Sequence, residues 1–238
     1  MRVRIYLDEG VDAPLFKQVV KEVRRALPAG SVVRPADRTF FTSENWERGV
    51  DLIIIPGGRD VPYHDNLQGE ANRRIRQFVL DGGRYLGICA GAYYGSSHVV
   101  FEEGGELEVV APRELAFFPG RAVGPAYGKG LFRYDSQQGV RSASLKWNEK
   151  VVNVYYNGGC LFEGADRHDN VEILAHYDDI EGNPPAIIEC EVGKGKAILS
   201  GVHFEHALEE AHEPQRFELM KSLLKRIFAL NLDAPSAL

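Results

Sequence analysis

Few residues in this chain have chemistry to offer, and the first is Cys89 in the string GICAG (87–91), directly after the apolar run RYLGI (84–88). A glycine-x-cysteine-x-glycine string at a strand end is the cysteine version of the nucleophile elbow. In that motif a sharp strand-to-helix turn holds the reactive atom in strained φ/ψ, and small neighbours avoid clashes. The helix expected after the turn would point its positive end at the sulfur, an environment that favours a nucleophilic thiolate. Read alone, the string also fits a buried structural cysteine beside a glycine turn.

A nucleophile needs a base, and LSGVHFEHA (199–207) offers His203 and Glu205. At the end of a strand, residues two apart project to one face, so the Glu205 carboxylate can accept from the His203 ring and fix its tautomer. The other ring nitrogen is then left for Cys89. Alternating polar residues at a strand end are common, so H-x-E carries weight only in combination. The third element is PGG (56–58), after the strand DLIII. Glycines there let backbone amides face a cavity, and the amides of Gly58 and Ala90 would together form an oxyanion hole. The plainer reading is a tight strand-to-loop turn.

The elements that must position these groups alternate in the first half. Strands are expected at 3–7, 31–35, 51–58 and 84–88, with helices at 12–27 and 66–83. The first helix is entered through Asp12 and Pro14 and carries an apolar stripe. DLIII is apolar on consecutive positions, as a strand buried on both faces of a parallel sheet must be. This order predicts an α/β fold with a doubly wound, mostly parallel sheet, whose ligands gather at the carboxyl ends of the strands. Residues 101–160 are glycine-rich without a long helix, and strands at 107–110, 142–147 and 151–156 read as an antiparallel excursion after the central helix. Further strands are expected at 171–177, 185–192 and 196–205, the last two joined by a tight turn at VGKGK, and a closing helix at 214–230. One domain over 1–232 and a flexible tail at 233–238 complete the expectation.

Composition bounds the function. In 238 residues, 44% are hydrophobic and the formal net charge is -6, so there is no electrostatic footprint for nucleic acid or for an anionic membrane surface. Three cysteines, Cys89, Cys160 and Cys190, without a CxxC pair suggest neither a disulfide framework nor a zinc site, and a reducing cytoplasm is the expected home. Cys160 and Cys190 lie in or beside strand-like runs and read as inert. His64, His98, His168 and His176 show no metal-ligand spacing, and neither a metal nor a cofactor is expected.

Taken together, PGG, GxCxG and H-x-E after a GKGKAILSG strand resemble the class I glutamine amidotransferase superfamily. The longer strings IIIPGGRDVPY (53–63), GICAGAYYGSS (87–97) and VYYNGGCLF (154–162) are similar to the amidotransferase-like domain at the N-terminus of eukaryotic biotin-protein ligases, also found as free-standing bacterial proteins. The likeness runs from residue 3 to about 229. It implies a Cys89, His203, Glu205 triad, oxyanion donors at Gly58 and Ala90, and a cavity wall drawing on Gly57, Arg59, Asp60, Tyr63, Tyr93, Tyr94 and Asn157. Arg59 and Asp60 read either as binders of a substrate carboxylate or amine, or as a salt-bridged loop. True glutamine amidotransferases place Gln four residues after the cysteine, where this chain has Tyr93. No synthetase domain and no glycine-rich biotinyl-adenylate motif is expected here. The reading is therefore a cysteine-dependent amidohydrolase or amidotransferase-like protein acting on a small-molecule amide or acyl substrate, with a separate synthetase or ligase as a partner. The alternatives are a non-catalytic metabolite-binding module and a cysteine peptidase.

Overall fold

A computed structural model describes residues 1–43 and 45–229; the expected tail at 233–238 lies outside them. Strand β1 (Arg2–Tyr6) leads through a loop to helix α1 (Ala13–Ala26). There the Asp12 side chain caps the Leu15 amide at 2.9 Å, Pro14 stands in the first turn, and Arg24 and Arg25 close the last. Strand β2 (Val32–Ala36), short helix α2 (Arg38–Thr42) and strand β3 (Leu52–Ile55) follow. All four β3 residues are buried, with Ile53 and Ile55 in one core and Leu52 and Ile54 in the other. That division is what a sheet covered on both faces demands of a strand.

The expected helix at 66–83 is α4 (Glu70–Leu80), and another helix, α3 (Asp60–Leu67), precedes it where none was expected. Gly69, at φ 78, separates the two, and the Glu114 carboxylate holds the break by accepting from the Gly69 amide and the Asn72 side chain, both at 2.8 Å. Strand β4 (Arg84–Ile88) and helix α5 (Ala90–Gly95) form the elbow.

From there the chain departs from the expectation of a single excursion. Strands β5 (Ser96–Phe101), β6 (Val109–Pro112) and β7 (Phe118–Gly124) build a second sheet, joined later by β10 (Leu161–Glu163) in the order β10-β7-β5-β6. Strands β8 (Arg141–Trp147), β9 (Lys150–Tyr156), β11 (Val171–Tyr177), β12 (Pro185–Val192) and β13 (Gly195–Ser200) join the first sheet, and helix α6 (Glu213–Phe228) packs last. The main sheet runs β2-β1-β3-β4-β13-β12-β11-β8-β9. Its pairings from β2 to β13 are parallel and those from β13 to β9 antiparallel, so the sheet is mixed rather than mostly parallel. The reason is connectivity: β8–β9 and β12–β13 are joined by tight hairpin turns, which only antiparallel neighbours permit.

The antiparallel half reaches the parallel half where the segment after β9 crosses the end of β13. A Cβ on Gly159 would lie 1.6 Å from the Gly201 carbonyl oxygen, and one on Gly201 would lie 1.9 Å from that of Cys160. Two tyrosines lock the crossing: Tyr156 Oη donates to the Gly159 carbonyl at 2.9 Å and Tyr177 Oη to the Cys160 carbonyl at 2.7 Å. Backbone against backbone leaves no side chain to give way. Gly159→Ala is therefore expected to destabilise the fold by about 1–3 kcal/mol or more, read by urea denaturation; an unchanged midpoint would contradict this account of the crossing.

Candidate active site

Cys89 sits between β4 and α5 at φ 51, ψ -105, a conformation that L-residues avoid. What holds it there is the crossing of β3 by the elbow. A Cβ on Gly91 would meet the Ile55 carbonyl oxygen at 1.9 Å, and one on Gly87 would meet that of Gly91 at 2.3 Å. The Cys89 amide donates to Ser200 at 2.8 Å, and its carbonyl accepts from Ala92 and Tyr93 at 2.9 and 3.1 Å. Helix α5 has six residues, shorter than the elbow motif suggests. The sulfur, 6% exposed with its residue, donates to the Asn157 carbonyl at 3.6 Å.

His203 and Glu205 lie beyond β13, on an irregular segment rather than on the expected strand to 205. The nearest sheet edge still orders them: the His203 amide donates to the Tyr155 carbonyl at 2.9 Å, and the Tyr155 amide to the His206 carbonyl at 3.0 Å. His203 Nδ1 stands 2.8 Å from Glu205 Oε1, and both side chains are buried. Burial alone would strip the ring of its proton. The Glu205 carboxylate and the Cys89 sulfur, each as a charge and as a hydrogen-bond partner, outweigh that and raise the ring's pKa from 6.5 to about 10. The structure thus brings Cys89, His203 and Glu205 together.

The PGG segment backs this group. A Cβ on Gly57 would lie 2.4 Å from His203 Cε1, so Gly57 is the flat wall against which the ring rests rather than a lining residue of the cleft. Gly58, at φ 148, has no room for a side chain, since a Cβ would collide with the Gly10 carbonyl oxygen at 2.1 Å. Hydrogen bonds from Arg59 to Gly10 (2.8 Å) and from Asp12 to Gly57 (3.2 Å) tie the segment to the β1–α1 loop. The Gly58 amide takes no part in that bridge, and the Ala90 amide, first in α5, has no acceptor within its helix.

Cys89, His203, Gly58, Arg59 and Asn157 open onto a cleft of about 590 Å³, within the usual range for small-molecule sites. A smaller recess beside the sulfur is reached by Asp60, Ala90 and Tyr93. Arg59 is stacked over Tyr134 at 4.6 Å and paired with Asp135 at 2.7 Å. Asp60 is paired with buried Arg113 at 2.7 Å; burial pushes its carboxyl up against the pull of that guanidinium. Tyr93 Oη donates to the Gly158 carbonyl at 3.1 Å. Tyr63 and Tyr94 do not line the cleft: both are wholly buried, Tyr63 Oη donating to the Gly57 carbonyl at 3.0 Å and Tyr94 Oη to Asn72.

Sequence reasoning missed a whole wall, Phe132 to Gln137, from the irregular stretch between β7 and β8, together with Tyr155 and His206. It also missed Glu9 to Asp12, although that loop follows a parallel strand whose carboxyl end points to the same edge. Glu205→Gln removes the first of the two holds on the His203 proton. Titration of the ring by NMR is expected to show its midpoint falling from about 10 to the ordinary histidine value of 6.5 or below; an unmoved midpoint would show that the carboxylate does not govern the ring.

Comparison with known proteins is consistent with this geometry. A family model described as biotin-protein ligase, N terminal, matches residues 1–232. An uncharacterised protein of Chlamydia muridarum is 41% identical over 212 residues, covering 87% of this chain and 82% of that protein. A biotin-protein ligase of Schizosaccharomyces pombe is 33% identical over 238 residues, covering 94% of this chain but only 37% of its own length. Among solved structures, a glutamine amidotransferase superposes with a TM-score of 0.61 at 17% identity, covering 92% of this chain and 98% of that one. The PurLQS structure from Thermotoga maritima gives 0.61 at 15%, covering 94% and 98%. At these identities the structural likeness speaks to the fold, which is amidotransferase-like. With the model spanning nearly the whole chain, the protein belongs to the biotin-protein ligase N-terminal family.

Proposed function

We propose that this protein is a cysteine-dependent acyl-transfer enzyme, an amidohydrolase or amidotransferase-like protein acting on a small-molecule amide or related acyl group. The observation that carries the reading is the buried His203 ring, hydrogen-bonded to Glu205 at 2.8 Å and lining the cleft together with Cys89. In the proposed reaction the Cys89 sulfur forms a bond to the acyl carbon, and the carbonyl oxygen takes up negative charge opposite the Gly58 and Ala90 amides. The C–N bond then breaks as His203 gives its proton to the departing nitrogen, leaving a thioester. Water attacks the thioester with His203 taking the water's proton; the C–S bond breaks, and the acid and the free cysteine result. Glu205 fixes the ring tautomer and stabilises the imidazolium.

A specific observation favours a second reading. Tyr93 stands where amidotransferases carry a substrate-holding Gln, and its hydroxyl is spent on the Gly158 carbonyl. Under that reading the cleft binds a metabolite without turning it over, and the chain serves a partner ligase as a regulatory module. A separate synthetase or ligase is the proposed partner in either case, and only under the first reading does it receive released ammonia or amine. Among the described residues no helix is long and apolar enough to cross a membrane, and the proposed home is the reducing cytoplasm, where Cys89 stays a free thiol.

Alkylation by iodoacetamide near neutral pH, read by peptide mass spectrometry, separates the two readings. Cys160 and Cys190, fully buried and with thiols pushed up by burial, serve as internal controls. The catalytic reading expects Cys89 to react first and His203→Ala to slow it by about a hundredfold. A Cys89 as silent as the controls, or indifferent to His203, would leave the binding module.

A further inference from the structure

The segment holding His203 and Glu205 has left β13 and keeps only the isolated bridge to Tyr155 on β9, so other contacts must fix the rest of its path. Its three successive carbonyls each have a different partner. That of His203 accepts from the His206 amide at 3.1 Å, that of Phe204 from Arg216 Nη1 at 3.0 Å, and that of Glu205 from Gln18 Nε2 at 3.1 Å. Two of the three are thus held by side chains from helices α6 and α1, which carry no candidate catalytic group.

Arg216 is the unusual one. Its side chain is completely buried, among the largest in the molecule to be so. A buried guanidinium is costly unless every face is paired, and here it is: Nη2 meets Glu22 Oε2 at 2.6 Å and Glu213 Oε1 at 2.5 Å, while Nε meets Glu213 Oε2 at 2.8 Å. Arg25 braces both carboxylates from outside, at 3.2 Å to Glu22 and 2.8 Å to Glu213. A cluster that served only to tie α1 to α6 would have no need of the Phe204 carbonyl. Its remaining nitrogen, Nη1, meets the Met220 sulfur at 3.7 Å and, more closely, the one carbonyl between the two residues of the His–Glu pair.

From this geometry we infer that Arg216 is a positioning residue for His203 and Glu205, with Glu22 and Glu213 holding its fork in place and Gln18 as a second, weaker stay. The inference rests on the Cys89, His203, Glu205 reading given above. It requires a planar fork: a lysine is a point charge and cannot span from Glu22 to the Phe204 carbonyl while keeping Glu213.

The test uses the full chain and measures the rate of Cys89 alkylation by iodoacetamide at about pH 6, divided by its rate at about pH 10, where any accessible thiol is ionised. The ratio cancels access and reports what His203 does to the sulfur; thermal unfolding monitored by circular dichroism verifies that each variant is folded. Arg216→Lys and Arg216→Met are each expected to lower the ratio by about tenfold or more, as misplacement of a reacting group by a fraction of an ångström does. Gln18→Leu is expected to lower it less. Should Arg216→Met fail to fold, Arg216→Lys decides alone. Folded Arg216 variants with the wild-type ratio, alongside a His203→Ala variant whose ratio falls, would overturn the positioning role and leave the triad standing. If His203→Ala itself leaves the ratio unchanged, the triad reading falls and takes this inference with it.

Discussion

The hydrogen bond between His203 Nδ1 and Glu205 Oε1 is the interaction around which the rest of the site is arranged. Both side chains are almost completely removed from water, so the pair persists only if the surroundings hold its geometry and its proton. Every neighbouring element contributes one part of that. Gly57 supplies a flat surface behind the ring, β9 supplies the Tyr155 carbonyl in front, and α1 and α6 hold the backbone of the segment from below. Cys89 completes the arrangement on the free side of the ring.

The mixed sheet follows from the same need. A purely parallel sheet would bring PGG, the elbow and the H-x-E segment to one edge, but would leave that edge open to water. Here the antiparallel half turns back over it. The tight crossing at Gly159 and Gly201 sets the carbonyl of Asn157 against the sulfur, and the stretch between β7 and β8 lays Phe132 and Tyr134 along the cleft. The outcome is a site whose nucleophile is almost buried while the space beside it is large enough for a small molecule.

Much of this was legible in the sequence, and the reasons differ by element. Consecutive apolar residues in DLIII and RYLGI marked central strands because a strand covered on both faces has no polar face to alternate. Glycines at 87 and 91 marked the small neighbours that the elbow needs, and those at 57 and 58 a turn whose amides face the cavity; none of the four has space for a Cβ. The second sheet was not legible. Strand β10 has only three residues and pairs with β7 from far earlier in the chain, and β7 holds Pro119 and Gly120, which speak against a strand read locally. The break at Gly69 depends on Glu114 from a distant loop, which no periodicity reveals. Nor could spacing alone tell that Tyr94 faces the core while Tyr93 reaches the recess, which the pitch of six-residue α5 decides, or that Tyr63 on α3 is buried.

The central claim is acyl transfer through Cys89, and the most direct measurement is a burst experiment with p-nitrophenyl acetate, whose activated ester bypasses the unknown substrate. The account predicts a burst of p-nitrophenolate matching the amount of protein, an acetyl group located on Cys89 by peptide mass spectrometry, and loss of both in Cys89→Ser. Release of p-nitrophenolate no faster than in Cys89→Ser, or an acetyl group on other residues with Cys89 unmodified, would contradict it.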